Sequence, residues 1–348
     1  MATFEQRESG FWQAKIRRKG WPNESKTFRT KAAAEAWARD IESRMDKGSF
    51  QSASESEKTT FSDLLNRFKS EFAPYHYRKR EDGKEAWRFQ CDRLNDHFGP
   101  YSLLAIDQKL VAQFRDERLT PPTGSKRKAV GESTVRKEVF LLSKILGFAE
   151  KECGIALPRG NPVDKIRKPK DGQARDRRLN SDEWKRLEEE IEKSRNLHLK
   201  SAVNWAIATA MRQNEMLSLT WGMIDVKRRV ALLLDPKKLK TEDPRAVPLT
   251  SAAIAVLDAL PKPANDNSTI LLFPVERLTL YHAFIAACKR AQIKGYTWHD
   301  LRHEALSRLA ERGDLSVLEL AAMSGHKTIQ MLKRYTHLQA ESLAKKLG

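Results

Sequence analysis

Near its carboxyl end the chain reads GHKTIQMLKRYTH over residues 325–337, which places His326 nine residues before Tyr335. Upstream it reads HDLRH over residues 299–303 and MRQNEMLSLTW over residues 211–221. Arginines, histidines and a tyrosine in this order supply fixed cations, proton carriers and an oxygen nucleophile. Together these groups can form a site that breaks a phosphodiester bond with a protein nucleophile.

The two arginines are the candidates for holding the phosphate. Arg suits this task because its planar fork meets phosphate oxygens in pairs and never loses its charge. Arg212 follows an apolar helical stretch, although a buried ion pair with Glu215 is an equal alternative for that segment. Arg302 shares a predicted helix face with His299 and His303. The three side chains are therefore expected to act at one place.

Tyr335 is the candidate nucleophile. A free tyrosine has a pKa near 10, so only about one in a thousand is ionised at pH 7. Neighbouring cations and a proton acceptor must therefore activate it. A metal site is not expected, because Asp300 follows His299 where a zinc hydrolase has Glu, and no third ligand is evident.

Composition indicates a polyanionic partner. The 348 residues contain 64 Lys and Arg against 46 Asp and Glu, a formal charge of +18, which favours nucleic acid. The three cysteines have no metal-ligand or redox spacing, and no apolar run is long enough to span a bilayer. The first ten residues lack the apolar core of a signal peptide. We therefore expect a cytoplasmic protein that contacts no membrane, and DNA as its partner would make such a protein nucleoid-associated in a bacterium.

The pattern predicts a mostly α, multidomain protein with small β elements. Residues 1–50 alternate like two strands, then continue as a helix that Thr30 caps and Gly48 ends. Residues 59–155 have helical spacing throughout and predict an α-helical bundle. Residues 156–178 predict a basic interdomain linker, and residues 179–348 a mixed α+β domain.

Basic clusters outside the last domain are the candidates for DNA contact. The first module offers a short basic sheet that fits a DNA groove, and the bundle and the linker add basic loops. These candidates are Lys15, Arg17, Arg18, Lys126, Arg127, Lys128, Arg167, Lys168 and Lys170. The alternative for each cluster is a solvated charged surface.

The three motifs together resemble the tyrosine recombinase (phage integrase) family. The resemblance implies that Arg212, His299, Arg302 and His326 surround the phosphate, that Tyr335 attacks it, and that Glu215 and His303 support the site. It also implies that Lys240, five residues before Arg245, protonates the departing 5′ oxygen. Cleavage would form a 3′-phosphotyrosyl bond without metal, ATP or any cofactor.

The resemblance extends to architecture and partners. Residues 1–50 look like an arm-type DNA-binding module, and residues 59–155 look like the family's core-binding (SAM-like) domain. The expected partners are double-stranded recombination sites, further copies of the chain in a tetrameric synapse, and DNA-bending accessory proteins.

Several functions stay open at this point. An integrase of a prophage or mobile element and a shufflon-type DNA invertase share these motifs. A non-catalytic DNA-binding regulator is the alternative from another class, although the complete residue set argues against it. A metal-dependent nuclease is a further alternative. EDTA would inhibit such a nuclease but not a recombinase. A relaxing topoisomerase shares the chemistry but fits less well with two basic flanking modules.

Overall fold

The computed structural model describes residues 2–48, 50, 52–77, 79, 83–121, 129–172, 175–234, 244–263, 268–326 and 328–336. The predicted residues Lys126, Arg127, Lys128 and Lys240 lie outside this part of the chain. The chain divides into two compact units, Met1–Gln173 and Ala174–Gly348.

The first unit begins with a small antiparallel sheet covered by a helix. Its elements are β1 (Ala2–Gln6), β2 (Trp12–Ile16), β3 (Glu24–Phe28) and α1 (Lys31–Asp46). β2 lies between the other two strands and turns Ala14 and Ile16 into the core. The Thr30 hydroxyl accepts a hydrogen bond from the backbone of Ala33, which starts α1 as predicted. The strand β1 was not predicted.

The rest of the first unit is helical in its described part, as the apolar spacing predicted. The α-helices are α2 (Ser54–Lys58), α3 (Phe61–Arg67), α4 (Ala73–His76), α5 (Ala86–Phe98), α6 (Gln108–Leu119) and α7 (Glu132–Lys151). A π-helical turn at Phe68–Phe72 joins α3 to α4, and a 3-10 turn spans Pro162–Lys165. Phe61, Phe98 and Phe114 pack against one another with tilted rings in the core. Leu157 and Val163, from the expected linker, are buried in the same core.

The second unit packs helices around a small sheet. Its strands are β4 (Ile224–Asp225), β5 (Val230–Leu233) and β6 (Arg245–Pro248), in antiparallel order. Its helices are α8 (Ser181–Glu192), α9 (Leu199–Thr209), α10 (Gln213–Leu217), α11 (Ser251–Ala259), α12 (Arg277–Arg290), α13 (Trp298–Glu311), α14 (Val317–Ser324) and α15 (Lys333–Thr336). Short 3-10 turns span Trp221–Met223 and Ile329–Met331.

Two apolar clusters hold this unit together. The larger centres on Trp205, Phe273 and Phe284. The smaller contains Ala305, Leu309, Leu320 and Tyr335, and it joins α13, α14 and α15. The protein is thus mostly helical with small antiparallel sheets, as expected. Across the described ranges, no helix combines the length and the apolar character needed to cross a bilayer.

A buried ion pair tests the packing of the helical bundle. Arg118 on α6 donates two hydrogen bonds to Glu138 on α7, at 2.8 and 2.9 Å, and Glu138 is 4% exposed. Replacing Arg118 with Met should lower the free energy of opening by about 3 kcal/mol, because the carboxylate would be left buried and unpaired. Hydrogen exchange of α6 and α7 amides measures this free energy.

Arg67→Met is the matched control, since Arg67 pairs with Glu71 on an exposed surface. That change should cost less than about 1 kcal/mol. Equal losses in the two variants would show that the Arg118–Glu138 pair contributes nothing special to the bundle.

Candidate active site

The helix α13 carries three of the predicted site residues. It starts at Trp298, where Thr297 and Asp300 form a reciprocal cap. His299 lies exposed in its first turn, whereas Arg302 is only 4% exposed. Arg302 donates from Nη1 to the carbonyl oxygen of Ala210 and from Nη2 to that of Ser324, both at 2.6 Å. These bonds fix the guanidinium between the end of α9 and the end of α14.

Burial leaves Arg302 with poorly compensated charge. Both of its hydrogen bonds go to neutral carbonyl oxygens. Burial, followed by repulsion from Arg212, lowers the pKa of Arg302 to about 9. An anion bound beside it would restore the balance, because opposite charge favours the protonated guanidinium. The arrangement therefore suits a phosphate.

A buried carboxylate organises the other arginines. Glu215 is 1% exposed and accepts hydrogen bonds from Arg212 Nη1 at 2.7 Å and from Arg245 Nη2 at 2.8 Å. Burial alone would raise the pKa of Glu215, but the bonds from Arg245 and Arg212 hold that pKa below its usual range. The expected ion pair between Arg212 and Glu215 is therefore present. It uses Nη1 of Arg212, so Nη2 can bind another group.

The loop after α14 meets both arginines. Arg212 Nη2 donates to the carbonyl oxygen of Gly325 at 3.3 Å. Gly325 has a φ of +66°, and a Cβ there would come within 2.6 Å of the Arg245 guanidinium. Glycine is needed at this position both for its backbone angle and for the close approach. This contact sets the position of the next residue, His326.

Ser324 fixes the protonation pattern of His326. The Ser324 hydroxyl lies 2.6 Å from the carbonyl oxygen of Leu320 and 2.7 Å from His326 Nδ1. The hydroxyl has one hydrogen, which the carbonyl requires, so His326 Nδ1 donates to Oγ. Burial, then the charges of Arg302 and Arg212, lower the pKa of His326 to about 4. At neutral pH the ring is therefore uncharged, with its lone pair on Nε2.

Tyr335 contacts a different histidine. Its hydroxyl oxygen lies 2.6 Å from His303 Nδ1. The tyrosine is 5% exposed and packs in the smaller apolar cluster, and its ionised form would raise the pKa of Arg302. The His303 ring in turn meets the His299 ring edge-on, with centroids 4.9 Å apart. The predicted nucleophile is thus placed among the predicted cations and histidines.

Acidic residues of α13 bind the basic segment that precedes α8. Arg175 donates two hydrogen bonds to Asp300, and Arg178 donates to both Glu304 and Glu311. Both arginines belong to the basic run of residues 156–178, and each forms ion pairs within the second unit. Their charges are used within the protein, where they hold the helix that carries Arg302.

The structure brings most predicted site residues together. Arg212, Glu215, His299, Arg302, His303, His326 and Tyr335 lie around α13 and the end of α14. The sequence did not reveal roles for Arg245, Ser324 or Gly325. Only the Arg-x-Val-Pro-Leu pattern marked Arg245, and it gave no sign of the partner 30 residues away. Over the described ranges, no group of three or more His, Cys, Asp or Glu side chains could hold a metal.

The predicted DNA-contacting residues that can be described all lie in the first unit. Lys15 pairs with Glu5 at 3.0 Å, and Arg18 pairs with Asp46. Lys168 lies 3.4 Å from Asp164. The remaining candidates, Arg17, Arg167 and Lys170, are exposed. Their role in binding stays a prediction.

Comparison with known proteins gives consistent results. The phage integrase family model matches residues 177–342. The shufflon-specific DNA recombinase of Escherichia coli is 40% identical over 237 residues, which cover 68% of this chain and 59% of that protein. A Haemophilus influenzae protein that bears the provisional name integrase/recombinase is 30% identical over 350 residues, covering 97% of this chain and 88% of that protein.

A solved structure extends the likeness over nearly the whole fold. The crystal structure of a lambda integrase dimer bound to a COC′ core site matches with a TM-score of 0.63 and 19% identity. The match covers 95% of this chain and 93% of that chain. The chain belongs to the phage integrase family. It spans less than two thirds of the shufflon-specific recombinase.

Arg245 offers a first test of the site. Arg245→Met should lower the unfolding free energy of the second unit by about 3 kcal/mol, because Glu215 would lose one of its two buried partners. Thermal unfolding measures the loss. Arg228→Met, on an exposed turn of the same sheet, is the control and should change little. Matching transitions in the two variants would contradict the organising role of Glu215.

His326 predicts a pH dependence of stability. Its folded pKa, about 4, lies below the ordinary 6.5, so the unfolded chain binds more protons between these values. The contribution of the neutral His326 ring to the free energy of unfolding is therefore fully present above about pH 6.5 and is lost as the pH falls towards 4. Calorimetry over this range should show a weaker decline for His326→Asn than for the unchanged protein. Parallel curves would contradict the neutral, buried ring.

Proposed function

We propose that the protein performs site-specific DNA recombination, cutting a strand through a 3′-phosphotyrosyl intermediate and joining it to another strand. The observation that carries this proposal is the convergence of Arg212, Arg302, His326 and Tyr335 from separate segments of the second unit. A buried guanidinium at Arg302, a partly buried one at Arg212 and a tyrosine hydroxyl in the same unit fit a phosphodiester and its transition state.

Each residue has a proposed task. Arg212 and Arg302 hold the two non-bridging oxygens of the scissile phosphate. Nε2 of His326 takes up a proton as the phosphate enters and donates a hydrogen bond to it, while Ser324 holds the opposite side of the ring. His299 lies at the exposed end of the same helix face, open to DNA. Lys240 protonates the departing 5′ oxygen.

The first unit is proposed to recognise the DNA. Residues 1–50 act as an arm-type module and residues 59–155 as a core-binding domain, with residues 156–178 leading into the catalytic domain at 179–348. The contacts come from the basic positions Lys15, Arg17, Arg18, Lys126, Arg127, Lys128, Arg167, Lys168 and Lys170. Four copies on two DNA sites form the synapse, with DNA-bending proteins as helpers.

Both specific roles have support. The 40% identity to a shufflon-specific recombinase favours a DNA invertase. The integrase role is favoured by the small N-terminal sheet and helix, and by a fold match to a lambda integrase that extends over 95% of the chain. We favour an integrase of a prophage or mobile element. A regulator that binds DNA without cutting it would not need a buried Arg302 whose hydrogen bonds, among the described residues, go to backbone carbonyl oxygens.

A covalent trap tests the reaction. Nicked duplexes tiled across the DNA on both sides of the gene should include one that leaves its 3′ end attached to the protein after denaturation. Tyr335→Phe should form no adduct because the nucleophilic oxygen is gone. Arg212→Ala should form it about 100- to 1000-fold more slowly, since one charge-stabilising donor is lost. Gel electrophoresis under denaturing conditions measures the adduct.

Tyr281→Phe, a half-buried tyrosine on α12, is the control and should react normally. EDTA should have no effect. An adduct that persists in Tyr335→Phe, or one that EDTA prevents, would rule out the proposed chemistry.

A further inference from the structure

The hydroxyl of Tyr335 has a specific partner that the motif comparison left without a task. We propose that His303 is the proton acceptor for Tyr335, a role that rests on the proposed function. The two groups are 2.6 Å apart, well within hydrogen-bond distance. Because His303 touches the attacking oxygen itself, it would be a catalytic residue.

Burial explains why a protein group is needed. Tyr335 is 5% exposed, so bulk water has little access to its hydroxyl. A phenol with a pKa near 10 gives up its proton readily only to a base that is already in place. His303 Nδ1 meets this need in the tautomer whose hydrogen is on Nε2, because the Nδ1 lone pair then accepts the phenol hydrogen.

The other two histidines of the site are placed for different contacts. The Nδ1 of His326 is engaged with the Ser324 hydroxyl. The ring of His299 meets His303 edge-on and lies at the exposed end of the helix face. The hydrogen-bond contact of the phenol oxygen is with His303. His303 is therefore assigned to the nucleophile, and His326 and His299 to the phosphate.

Charges around His303 couple the transfer to substrate binding. The imidazole faces His299 on its own helix, His326 after α14 and Tyr335 on α15, and it follows Arg302 directly in the chain. A proton on His303 adds positive charge next to Arg302 and His326. The incoming phosphate supplies the negative charge that offsets it. Proton transfer should therefore accompany phosphate binding instead of preceding it.

The step balances as follows. The O–H bond of Tyr335 breaks, its proton moves to His303 Nδ1, and its electron pair forms the new bond to phosphorus. The bond from phosphorus to the 5′ oxygen breaks, and that oxygen takes its electron pair and a proton from the general acid, proposed as Lys240. In the joining step, a 5′ hydroxyl gives its proton back to the proposed Lys240 amine and attacks phosphorus. The bond from phosphorus to the phenol oxygen then breaks, and His303 returns its proton to that oxygen.

Two variants separate proton transfer from packing. His303→Asn keeps an oxygen acceptor close to the place of Nδ1 but does not take a proton at neutral pH. His303→Ala removes the contact altogether. Both should slow single-turnover adduct formation on the nicked duplex by about 100- to 10,000-fold, the range of general base catalysis. His282→Asn, on the exposed side of α12, is the control and should keep the normal rate.

A substrate with a sulfur leaving group shows whether a variant is defective in activating the nucleophile or in protonating the leaving group. A duplex with sulfur in place of the 5′ bridging oxygen has a leaving group that needs no proton. The loss in both His303 variants should persist on this substrate, whereas the loss in Lys240→Ala should be largely restored. Restoration of His303→Ala would place the histidine on the leaving group and overturn the proposal. An unchanged rate for His303→Ala would also overturn the proposal. A faster rate would overturn it as well, because it would show that the contact with His303 restrains Tyr335.

A measurement without DNA keeps the two proposals separable. In the full chain labelled with ¹⁵N histidine, the Nδ1 of His303 should resonate as an unprotonated, hydrogen-bonded nitrogen. This resonance should shift in Tyr335→Phe. A hydrogen on Nδ1 in the resting protein would overturn the acceptor role. If no duplex yields an adduct with the unchanged protein, the recombinase proposal fails, whatever the state of His303.

Discussion

The carboxylate of Glu215, buried between Arg212 and Arg245, is the interaction on which the site depends. Three guanidinium groups lie close enough for Arg212 and Arg245 to lower the pKa of Arg302, and like charges at such separations repel strongly where water is excluded. Glu215 neutralises one of them and ties α10 to β6. Through Arg212 and the close contact at Gly325, the same carboxylate positions the loop that carries His326.

The positive charge of Arg302 is held in a fixed position by hydrogen bonds and by the helix that carries it. Arg302 is satisfied by backbone carbonyls, which orient it without cancelling its charge. Its helix is held from outside by Asp300 with Arg175 and by Glu304 with Arg178. The incompletely compensated charge of Arg302 is thus surrounded by well-paired ions. This arrangement fits the general tendency of functional sites to be less stable than the structure around them.

Motif spacing predicted the chemistry of the site better than its architecture. His299, Arg302 and His303 could be placed on one face because helix geometry is local, and caps such as Thr30 follow from single residues. The strand β1 was missed because Ala2–Gln6 is short and contains only two apolar residues, and its pairing with β2 appears only in the folded chain. Arg245 and Ser324 were missed for a related reason. Their significance lies in partners that only the folded chain brings near, such as Glu215, or in a hydroxyl geometry that spacing does not encode.

The arginines of the site also determine when His326 becomes charged. Burial, together with the charges of Arg302 and Arg212, lowers the pKa of His326 to about 4 and keeps the ring neutral at pH 7, and the Ser324 contact leaves its lone pair on Nε2. A phosphate bound as proposed would offset part of this positive charge and raise that pKa, so Nε2 would gain a proton when there is an oxygen to receive its hydrogen bond. The full positive charge of the site would then exist only with substrate bound. Carrying that charge permanently would add repulsion among buried cations, and the neutral histidine avoids it.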